Sequence, residues 1–311
     1  MSSSSRVLRP VLTTIPLLVV TVILVGPLVW TALMSFRTNA EINQNPYALP
    51  IPPHFQNYVE ALLPDKDTLD DWAPVLGIDE HDLHNWLFDN GYDNGGFNFL
   101  RYLKNSVVVN AGSLFIVTVI TTMASFVFAR QRYAFPGRGL VFIFIFLSMF
   151  FPPQITQLSL FQLTIDYDLY NTLWALIFVY PATRIAFTLY VLRAFFAQIP
   201  TEIEDAARID GSGDWTMFWR VMLPIAKPAI AATVLLNFID FWNEFLYALT
   251  LVPKPELATI PLASFHWVGE YQLDIGGLAA GLVISMLPML ILYLCLSDHF
   301  MRGMTAGAVK G

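Results

Sequence analysis

Six long apolar runs limit what this chain can fold into. A helix needs about 20 consecutive apolar residues to cross the hydrocarbon core of a bilayer, and each run reaches that length. The runs cover residues 11–35, 104–129, 140–163, 172–196, 228–252 and 275–296. The chain is 56% hydrophobic and 13% charged, a composition that excludes an ordinary soluble domain. We therefore predict an all-α integral membrane protein with six transmembrane helices.

The runs divide the chain into four predicted regions. An N-terminal segment with the first span covers residues 1–36, and an extracytoplasmic loop covers 37–103. A core domain of five helices covers 104–300, and a cytoplasmic tail covers 301–311. The single cysteine, Cys295, leaves no partner for an intrachain disulfide.

The distribution of basic residues orients the predicted spans, because Lys and Arg are enriched in the cytoplasmic loops of membrane proteins. If residues 200–224 lie in the cytoplasm, 11 of the 17 basic residues share that side. These are Arg6, Arg9, Arg130, Arg132, Arg138, Arg193, Arg208, Arg220, Lys227, Arg302 and Lys310. We therefore expect a multi-pass protein of the cell (inner or plasma) membrane with both termini cytoplasmic. Basic residues form no stripe interleaved with aromatics, so nucleic-acid binding is excluded.

An acidic insert at 64–98 holds nine acids against one lysine. A short helix beginning at Asp79 is predicted there. The turn-rich segment 89–96 has no register with the Gly and Glu positions of a calcium loop. His81 and His84 lack further ligands at zinc spacing. The insert either contacts an extracytoplasmic solute-binding protein or is a solvated acidic segment without a specific partner.

A charged, amphipathic stretch at 200–228 separates two of the apolar runs and predicts a helical hairpin. Thr201 and Glu204 have the spacing of a capping box, so we expect Thr201 to cap the first helix. Gly211 is expected to end that helix in the left-handed conformation. Asp214 is expected to begin a second helix, which Pro224 ends. Alanines at the start of the hairpin allow close approach of a partner's backbone.

Polar residues within the spans are candidates for a translocation path, because charges in a membrane span usually face a cavity, a gate or a partner chain. Asn237, Asp240 and Glu244 recur at i, i+3 and i+7, which predicts one helical face. Arg184 is expected to pair with Asp240 or Glu244. The full candidate set is Gln154, Gln157, Arg184, Asn237, Asp240, Asn243 and Glu244. A structural hydrogen-bond network between spans is the competing interpretation.

The hairpin also carries a spaced motif: Asp205-Ala206-Ala207, then Gly211 after three intervening residues, then Val221-Met222-Leu223-Pro224 after nine more. It resembles the cytoplasmic loop of permease subunits in binding-protein-dependent ABC importers, in which Glu and Ile stand where this chain has Asp205 and Val221. The resemblance extends to Asn57-Tyr58, Lys104-Asn105-Ser106, Phe135 to Arg138, Trp242-Asn243 and the tail from Gly303. In that combination the chain resembles the carbohydrate branch of the family, similar to a membrane subunit of maltose importers.

That resemblance implies a type I ABC importer permease fold with a cytoplasmic coupling-helix hairpin. It implies a sugar or oligosaccharide as solute, a second permease, two ATPase subunits and an extracytoplasmic solute-binding protein as partners. ATP and Mg would bind the ATPase subunits, with no cofactor or metal on this chain. The implied ATPase-coupling residues are Glu204, Asp205, Ala206, Ala207, Asp210, Gly211, Leu223 and Pro224.

No phosphate-binding GxxxxGK[ST] loop, HExxH pair or Gly-x-Ser-x-Gly elbow occurs in the sequence. We therefore expect a transport subunit without its own ATPase or other enzymatic site. Two alternatives stay open: the same architecture carrying another solute such as glycerol phosphate, or an ion-coupled carrier or membrane enzyme that uses Asp240 and Glu244 as proton acceptors.

Overall fold

The computed structural model describes residues 4–62, 99–264 and 275–308, and the regular elements in these ranges are helical. The acidic insert, with its predicted helix, the 89–96 turn and both histidine candidates, lies outside the described residues. The helices are α1 (Ser4–Met34), α2 (Asn39–Gln44), α3 (Gln56–Leu62), α4 (Phe99–Ala129), α5 (Arg138–Leu147), α6 (Pro153–Asp166), α7 (Leu173–Gln198), α8 (Thr201–Ile209), α9 (Asp214–Trp242), α10 (Leu246–Leu251) and α11 (Ile275–Ala308).

Five of the described helices are long and apolar enough to cross a membrane. They run over Thr14–Met34, Phe99–Ala129, Leu173–Gln198, Asp214–Trp242 and Ile275–Cys295. A sixth span exists only if Arg138–Phe150 and Gln154–Asp166, which meet at an angle of 107°, are counted together. The predicted span over 140–163 is therefore two helices with a sharp bend between them. Consecutive prolines cause the break, because a residue before proline is forced out of the helical region, and Phe151 is extended (φ −83°, ψ 119°).

The predicted fifth span, 228–252, also has different bounds. Helix α9 already begins at Asp214, passes through a π-helical segment at Met217–Met222 and ends at Trp242. A separate short helix, α10, then follows a break at residues 243–245. The second arm of the hairpin and the span are thus one continuous helix, Asp214–Trp242.

The last helix is longer than predicted. The expected span ended at residue 296 and was followed by a tail, whereas α11 continues to Ala308. Pro288 lies inside this helix, as membrane helices tolerate when neighbouring groups satisfy the freed carbonyl.

The chain separates into two compact units. One contains residues 1–100 and 264–287, where the region after the first span is fixed by buried polar contacts. The Arg37 side chain is buried, and its Nη2 atom donates to the carbonyls of Glu41 and Asn45, both at 2.7 Å. Asn57 Nδ2 donates to the carbonyls of Ser35 and Arg37, both at 2.9 Å. These bonds hold the carbonyls of the segment that follows α1 and of the end of α2 around two buried side chains.

Gly276, at the start of α11, is required by a close approach within the same unit. A Cβ atom at this position would lie 2.4 Å from the carbonyl oxygen of Arg37 and 2.6 Å from Asn57 Nδ2. The side chain of Asn39 completes the contact, since its Oδ1 accepts the Ile275 backbone N–H at 2.9 Å. Only glycine allows the two chain segments to pass this closely.

The second unit contains residues 101–263 and 288–311 and includes every described candidate site residue. Helix α9 packs against α7, and α10 packs against both α6 and α7. Near the hairpin, the core consists of fully or nearly fully buried side chains. They are Phe126, Phe196, Ile199, Met217, Phe218, Met222 and Ala226. This apolar cluster lies directly beneath α8 and the π-helical segment and holds the hairpin against α4 and α7.

Candidate functional site

The hairpin turn has the geometry that the sequence predicts at Gly211. This residue has φ +84°, in the left-handed region that favours glycine. Around it, the N–H groups of Asp210, Gly211 and Ser212 donate to the carbonyls of Ala206, Arg208 and Ala207 at 3.1, 2.9 and 3.0 Å. These bonds satisfy the last carbonyls of α8, as in a glycine-terminated helix. The turn is therefore a defined hydrogen-bonded structure.

The predicted cap at Thr201 is wrong. Pro200 is the N-cap of α8 and Thr201 is the first helical residue, and no side-chain capping hydrogen bond forms. The carboxylate of Glu204 is directed to a buried guanidinium instead of the helix N-terminus. The prediction that the second helix begins at Asp214 is confirmed, with Gly213 as the N-cap of α9. A charged partner from another element thus uses the acid that would have completed the capping box at Thr201.

Pro224 does not end the second helix as predicted. The chain stays helical through it, from the π-helical segment Met217–Met222 into the α-helical stretch Leu223–Trp242. Pro224 is the second residue of that stretch, and the π-helical segment just before it shifts the hydrogen-bond register. A first-turn position tolerates the missing N–H of proline.

A buried ion pair lies at the base of the hairpin. Arg130 follows the last residue of α4, and its Nε contacts Glu204 Oε1 in the first turn of α8. The two side chains are 5% and 7% exposed. The Nη1 atom of the same guanidinium donates to the carbonyl of Ile199 at 3.0 Å, just past the end of α7. One arginine therefore joins α4, α7 and α8.

A second, more exposed charge network joins the two arms of the hairpin. Arg208 Nη2 lies 2.7 Å from Asp214 Oδ1 and donates to the Tyr133 hydroxyl at 3.3 Å. Arg132 Nε lies 3.8 Å from the same carboxylate oxygen. The hydrogen bond that Arg208 donates to the Asp214 carboxylate raises the pKa of Arg208. Burial and the nearby Asp214 raise the pKa of the Tyr133 phenol. Tyr133 and Arg208 therefore keep their protons at neutral pH.

The opposite side of the hairpin is open. Asp205, Ala206 and Asp210 are exposed, and the Ile209 side chain at the tip is 87% exposed. Ala207 and Leu223 are half-buried, and Pro224 is exposed. Glu204 is the exception among the predicted coupling residues, because it faces the core. The exposed surface of α8 therefore carries the carboxylates of Asp205 and Asp210 next to small and apolar side chains.

A half-open cavity of 170 Å³ lies beside the hairpin. Its walls are mostly apolar and come from α4, from the 131–133 turn and from the start of α9. The lining residues are Met123, Phe126, Val127, Tyr133, Asp214, Trp215 and Phe218.

A polar cluster joins α7 and α9 within the spans. Arg184 Nη2 forms an ion pair with Asp240 Oδ2, and Arg184 Nε donates to Asn237 Oδ1 at 3.4 Å. Asn237 Nδ2 donates to Thr188 Oγ1 at 3.0 Å, and the Arg184 guanidinium lies 4.7 Å from the ring centre of Phe187. The predicted pairing of Arg184 with an acid is confirmed for Asp240. The Arg184 and Asp240 side chains are 28% and 46% exposed.

Glu244 and Asn243 do not share that helical face. Helix α9 ends at Trp242, so the predicted i, i+3, i+7 face stops before Glu244. The Glu244 carboxylate instead accepts the backbone N–H groups of Tyr247 and Ala248 at 2.8 and 3.2 Å, which satisfies free donors at the start of α10. Asn243 is exposed, and its Nδ2 donates to the Ile239 carbonyl at 2.7 Å.

The two glutamines occupy different environments. Gln154 is exposed, whereas Gln157 is half-buried and joins α6 to α10. Gln157 Nε2 donates to the Leu246 carbonyl at 3.0 Å and also contacts Thr250 Oγ1. Next to it, Thr156 and Tyr247 share a hydrogen bond of 3.1 Å between their hydroxyls. The amide nitrogen of Gln157 is thus engaged in holding two helices together.

Sequence reasoning missed Arg130, Tyr133 and Thr188 as members of these sites. Arg130 was counted as one of several basic residues that orient the chain. No spacing rule connects it with Glu204, because their contact depends on how α4 and α8 pack. Its position directly after an apolar run was the only available signal.

A family model described as binding-protein-dependent transport system inner membrane component matches residues 98–306, which is more than half of the chain. The chain belongs to this family. The match begins at the start of α4 and continues nearly to the end of α11, so it includes both the hairpin and the polar cluster of this permease.

Several named relatives match over most of their length. The trehalose/maltose transport system permease protein MalG of Thermococcus litoralis is 31% identical over 309 residues, covering 98% of this chain and 99% of the relative. The diacetylchitobiose uptake system permease protein NgcG of Streptomyces coelicolor is 30% identical over 291 residues, covering 93% and 85%. A putative ABC transporter permease of Caldicellulosiruptor is 37% identical over 214 residues, covering 69% and 77%.

A solved structure shares the fold. One chain of a bacterial ABC transporter involved in the import of the acidic polysaccharide alginate superimposes with a TM-score of 0.74. The match covers 96% of this chain and 99% of that chain at 20% identity. The architecture is therefore that of an ABC importer permease, as predicted.

Proposed function

We propose that this chain is a transmembrane permease subunit of an ATP-driven ABC importer for a sugar or oligosaccharide. It forms the translocation path with a second permease and is coupled to two ATPase subunits through residues 200–224. An extracytoplasmic solute-binding protein delivers the solute. ATP and Mg bind the ATPase subunits, and this chain has no ATPase site of its own.

The observation that carries this proposal is the open side of the hairpin. Asp205, Ala206 and Asp210 are exposed on a helix whose other side is held by a buried ion pair and an aromatic core. A rigid, exposed helix with small residues suits insertion into a partner's groove, and its carboxylates suit a basic partner surface. The family membership and the sugar and oligosaccharide names of the relatives support the solute class.

The proposed orientation has both termini and the hairpin in the cytoplasm. ATP-driven closure of the ATPase subunits then moves the hairpin, and α9 transmits that movement because it continues from the hairpin into the membrane. The Arg184–Asp240 pair lies in the path of this movement. Asp240 is about 18 Å along the helix from Pro228, which is past the middle of a hydrocarbon core of about 30 Å. We assign this pair, with Asn237, to the translocation path or its gate.

The test is uptake by proteoliposomes that contain the assembled transporter with ATP enclosed and binding protein outside. We expect uptake of a labelled oligosaccharide that requires both ATP and the binding protein. Uptake that ignores ATP and follows a proton gradient would contradict the proposal and favour an ion-coupled carrier. Competition by excess glycerol phosphate, with none by sugars, would keep the architecture and change the solute.

The carrier alternative is disfavoured by the contacts of its two candidate proton acceptors. Asp240 is paired with Arg184, and Glu244 accepts two backbone N–H groups at the start of α10. Both carboxylates are therefore engaged in contacts that hold helices in place, Asp240 between α7 and α9 and Glu244 at the start of α10. An anionic solute such as glycerol phosphate has a single described cation available in this cluster, Arg184, which is already neutralised by Asp240.

A further inference from the structure

The hairpin is joined to a helix that is not its neighbour in sequence. Glu204 in α8 contacts Arg130, which follows the last residue of α4, and the same guanidinium donates to the Ile199 carbonyl at 3.0 Å. Chain connectivity already joins the hairpin to α7 on one side and α9 on the other. The Arg130 contacts add a third attachment, to α4.

Aromatic packing supports the same attachment. The ring of Phe126 in α4 lies 5.5 Å from the ring of Phe218 in α9 and 5.8 Å from that of Phe196 in α7. It also lies 5.3 Å from the ring of Tyr133, whose hydroxyl accepts a hydrogen bond from Arg208 at the end of α8. The inner end of α4 thus contacts both arms of the hairpin through apolar and polar groups.

The contact between Arg130 and Glu204 cannot lengthen without a large cost in free energy. Arg130 and Glu204 are 95% and 93% shielded from solvent, so separating them by a few ångströms would leave a charge in an apolar surrounding without its partner. Water cannot take over the hydrogen bonds while the aromatic core remains closed. A sliding or hinged contact between α4 and the hairpin would therefore be strongly unfavourable.

We propose that Arg130 is a positioning residue that makes the hairpin and the inner end of α4 move as one rigid body. ATP-driven displacement of the hairpin then moves three spanning helices, α4, α7 and α9, instead of the two that are contiguous with it. This inference rests on the proposed function, since it concerns how that transporter transmits movement.

The geometry requires an arginine. Nε contacts the Glu204 carboxylate while Nη1 donates to the Ile199 carbonyl, and only the planar fork of a guanidinium reaches both acceptors in fixed directions. A lysine keeps the charge but provides a single ammonium group. Arg130→Lys therefore separates the requirement for positive charge from the requirement for the two-way contact.

The first test measures the ratio of solute transported to ATP hydrolysed in proteoliposomes of the assembled transporter. For Arg130→Lys and Glu204→Gln we expect ATP hydrolysis to continue while the ratio falls about tenfold, within the usual range of coupling effects. Arg132→Gln is the matched control, because Arg132 lies in the same turn and its contact with Asp214 is exposed on both sides. Unchanged ratios in both variants, with assembly intact, would overturn the proposal.

The second test does not depend on disturbing the ion pair. Val127 in α4 and Trp215 in α9 line the same cavity, so Val127→Cys with Trp215→Cys, in a Cys295→Ser background, places two thiols across it. A short bifunctional thiol reagent then fixes α4 to the hairpin. If α4 and the hairpin move as one rigid body, the cross-linked transporter should take up solute as fast as the same transporter after a reductant has cleaved the linker. Uptake abolished by the link and restored by reduction would overturn the proposal.

The two tests also separate this inference from the proposed function. Failure of the proposed function appears as absence of ATP-dependent uptake by the unmodified transporter. Failure of the rigid-body inference leaves that uptake intact and changes only the linked or substituted transporter.

Discussion

Two arginine–carboxylate pairs in the same structural unit have opposite environments. The Arg130–Glu204 pair at the base of the hairpin is 5% and 7% exposed, whereas the Arg184–Asp240 pair within the spans is 28% and 46% exposed. The first is enclosed by an aromatic core and has a backbone carbonyl as its third member. The second has side-chain partners, Asn237 and Phe187, and is open on one side.

This difference indicates different roles for the same chemistry. A buried pair cannot open without leaving an uncompensated charge, so it fixes the elements that it joins. A half-exposed pair that faces a hydrated translocation path can exchange its partner for water at a much smaller cost, so it can open and close during a transport cycle. We interpret the Arg130–Glu204 pair as a contact that stays closed throughout the transport cycle. The Arg184–Asp240 pair is interpreted as a contact that opens and closes. The predictions below challenge that distinction.

Gly211→Pro is expected to have the largest effect, the loss of nearly all coupled uptake. Proline requires φ near −65°, and Gly211 has φ +84°, so the hairpin turn cannot form. The chain should remain in the membrane while ATP hydrolysis becomes independent of the solute-binding protein. Gly213→Pro is the matched control, because Gly213 has φ −72°, which proline adopts. Normal uptake by Gly211→Pro would refute the coupling role of the hairpin.

Glu204→Ala is expected to lower stability by about 3–5 kcal/mol, because it leaves Arg130 buried without a counter-charge. Asp240→Ala removes the corresponding acid of the half-exposed pair and should cost about 1 kcal/mol or less. Thermal inactivation of the purified complexes in detergent measures both changes. Equal losses of stability in the two variants would show that the two ion pairs do not differ in the way proposed.

Charge reversal tests the two pairs in a different way. Arg184→Asp together with Asp240→Arg should recover a substantial part of the uptake that each single change removes, since the cluster has room for the reversed pair. Arg130→Glu together with Glu204→Arg should not recover it, because the new carboxylate would face the Ile199 carbonyl. A failure of the first double change would show that Arg184 and Asp240 do not act as a pair.

Gln157→Ala is expected to reduce uptake by a few-fold, because it removes the hydrogen bonds that hold α6 to α10, each worth about 1 kcal/mol. Gln154→Ala, three residues earlier and exposed, provides the comparison and should be nearly neutral. The measurement is uptake over a range of solute concentrations. A larger effect for Gln154 than for Gln157, with a changed apparent affinity, would place the exposed glutamine on the solute path.

The smallest effect is expected from pH at the Glu41–His54 pair, which is exposed and lies outside the spans. The hydrogen bond from the Thr38 N–H, helped by His54, lowers the pKa of Glu41. A carboxyl with a lowered folded-state pKa stabilises the fold above its unfolded pKa and loses that contribution as pH falls through the folded value. Amide exchange in α2 should therefore accelerate slightly on acidification, and Glu41→Gln should abolish that pH dependence. An amide exchange rate in α2 of the unmodified protein that does not change on acidification would contradict this prediction.

Features set by local chemistry were predictable from the sequence, and features set by packing were not. The apolar runs predicted most of the spans, and Gly211 was predicted because a left-handed turn favours glycine. The start of the second helix at Asp214 was predicted, whereas the cap at Thr201 failed because a charged partner from another element, Arg130, binds Glu204. A capping rule based on neighbouring residues cannot predict a charged partner that comes close only when the chain folds.

The same limit explains the errors in the membrane region. The run at 228–252 reads as one helix because apolarity continues through the break, yet the chain leaves the helix after Trp242. Glu244 therefore lies just before α10 and not on the predicted polar face of α9. The pairing of Arg184 with Asp240 was predictable because charged residues within a span usually pair with one another or face a hydrated cavity.

The most direct test of the account is the composition of the assembly that this chain forms in its native membrane. A tagged chain would be purified in mild detergent, and its partners would be identified and quantified by mass spectrometry. The account predicts one copy of a second permease and two copies of a P-loop ATPase for each copy of this chain. A chain that purifies alone or only with itself would contradict the coupling role of the hairpin and the importer function together.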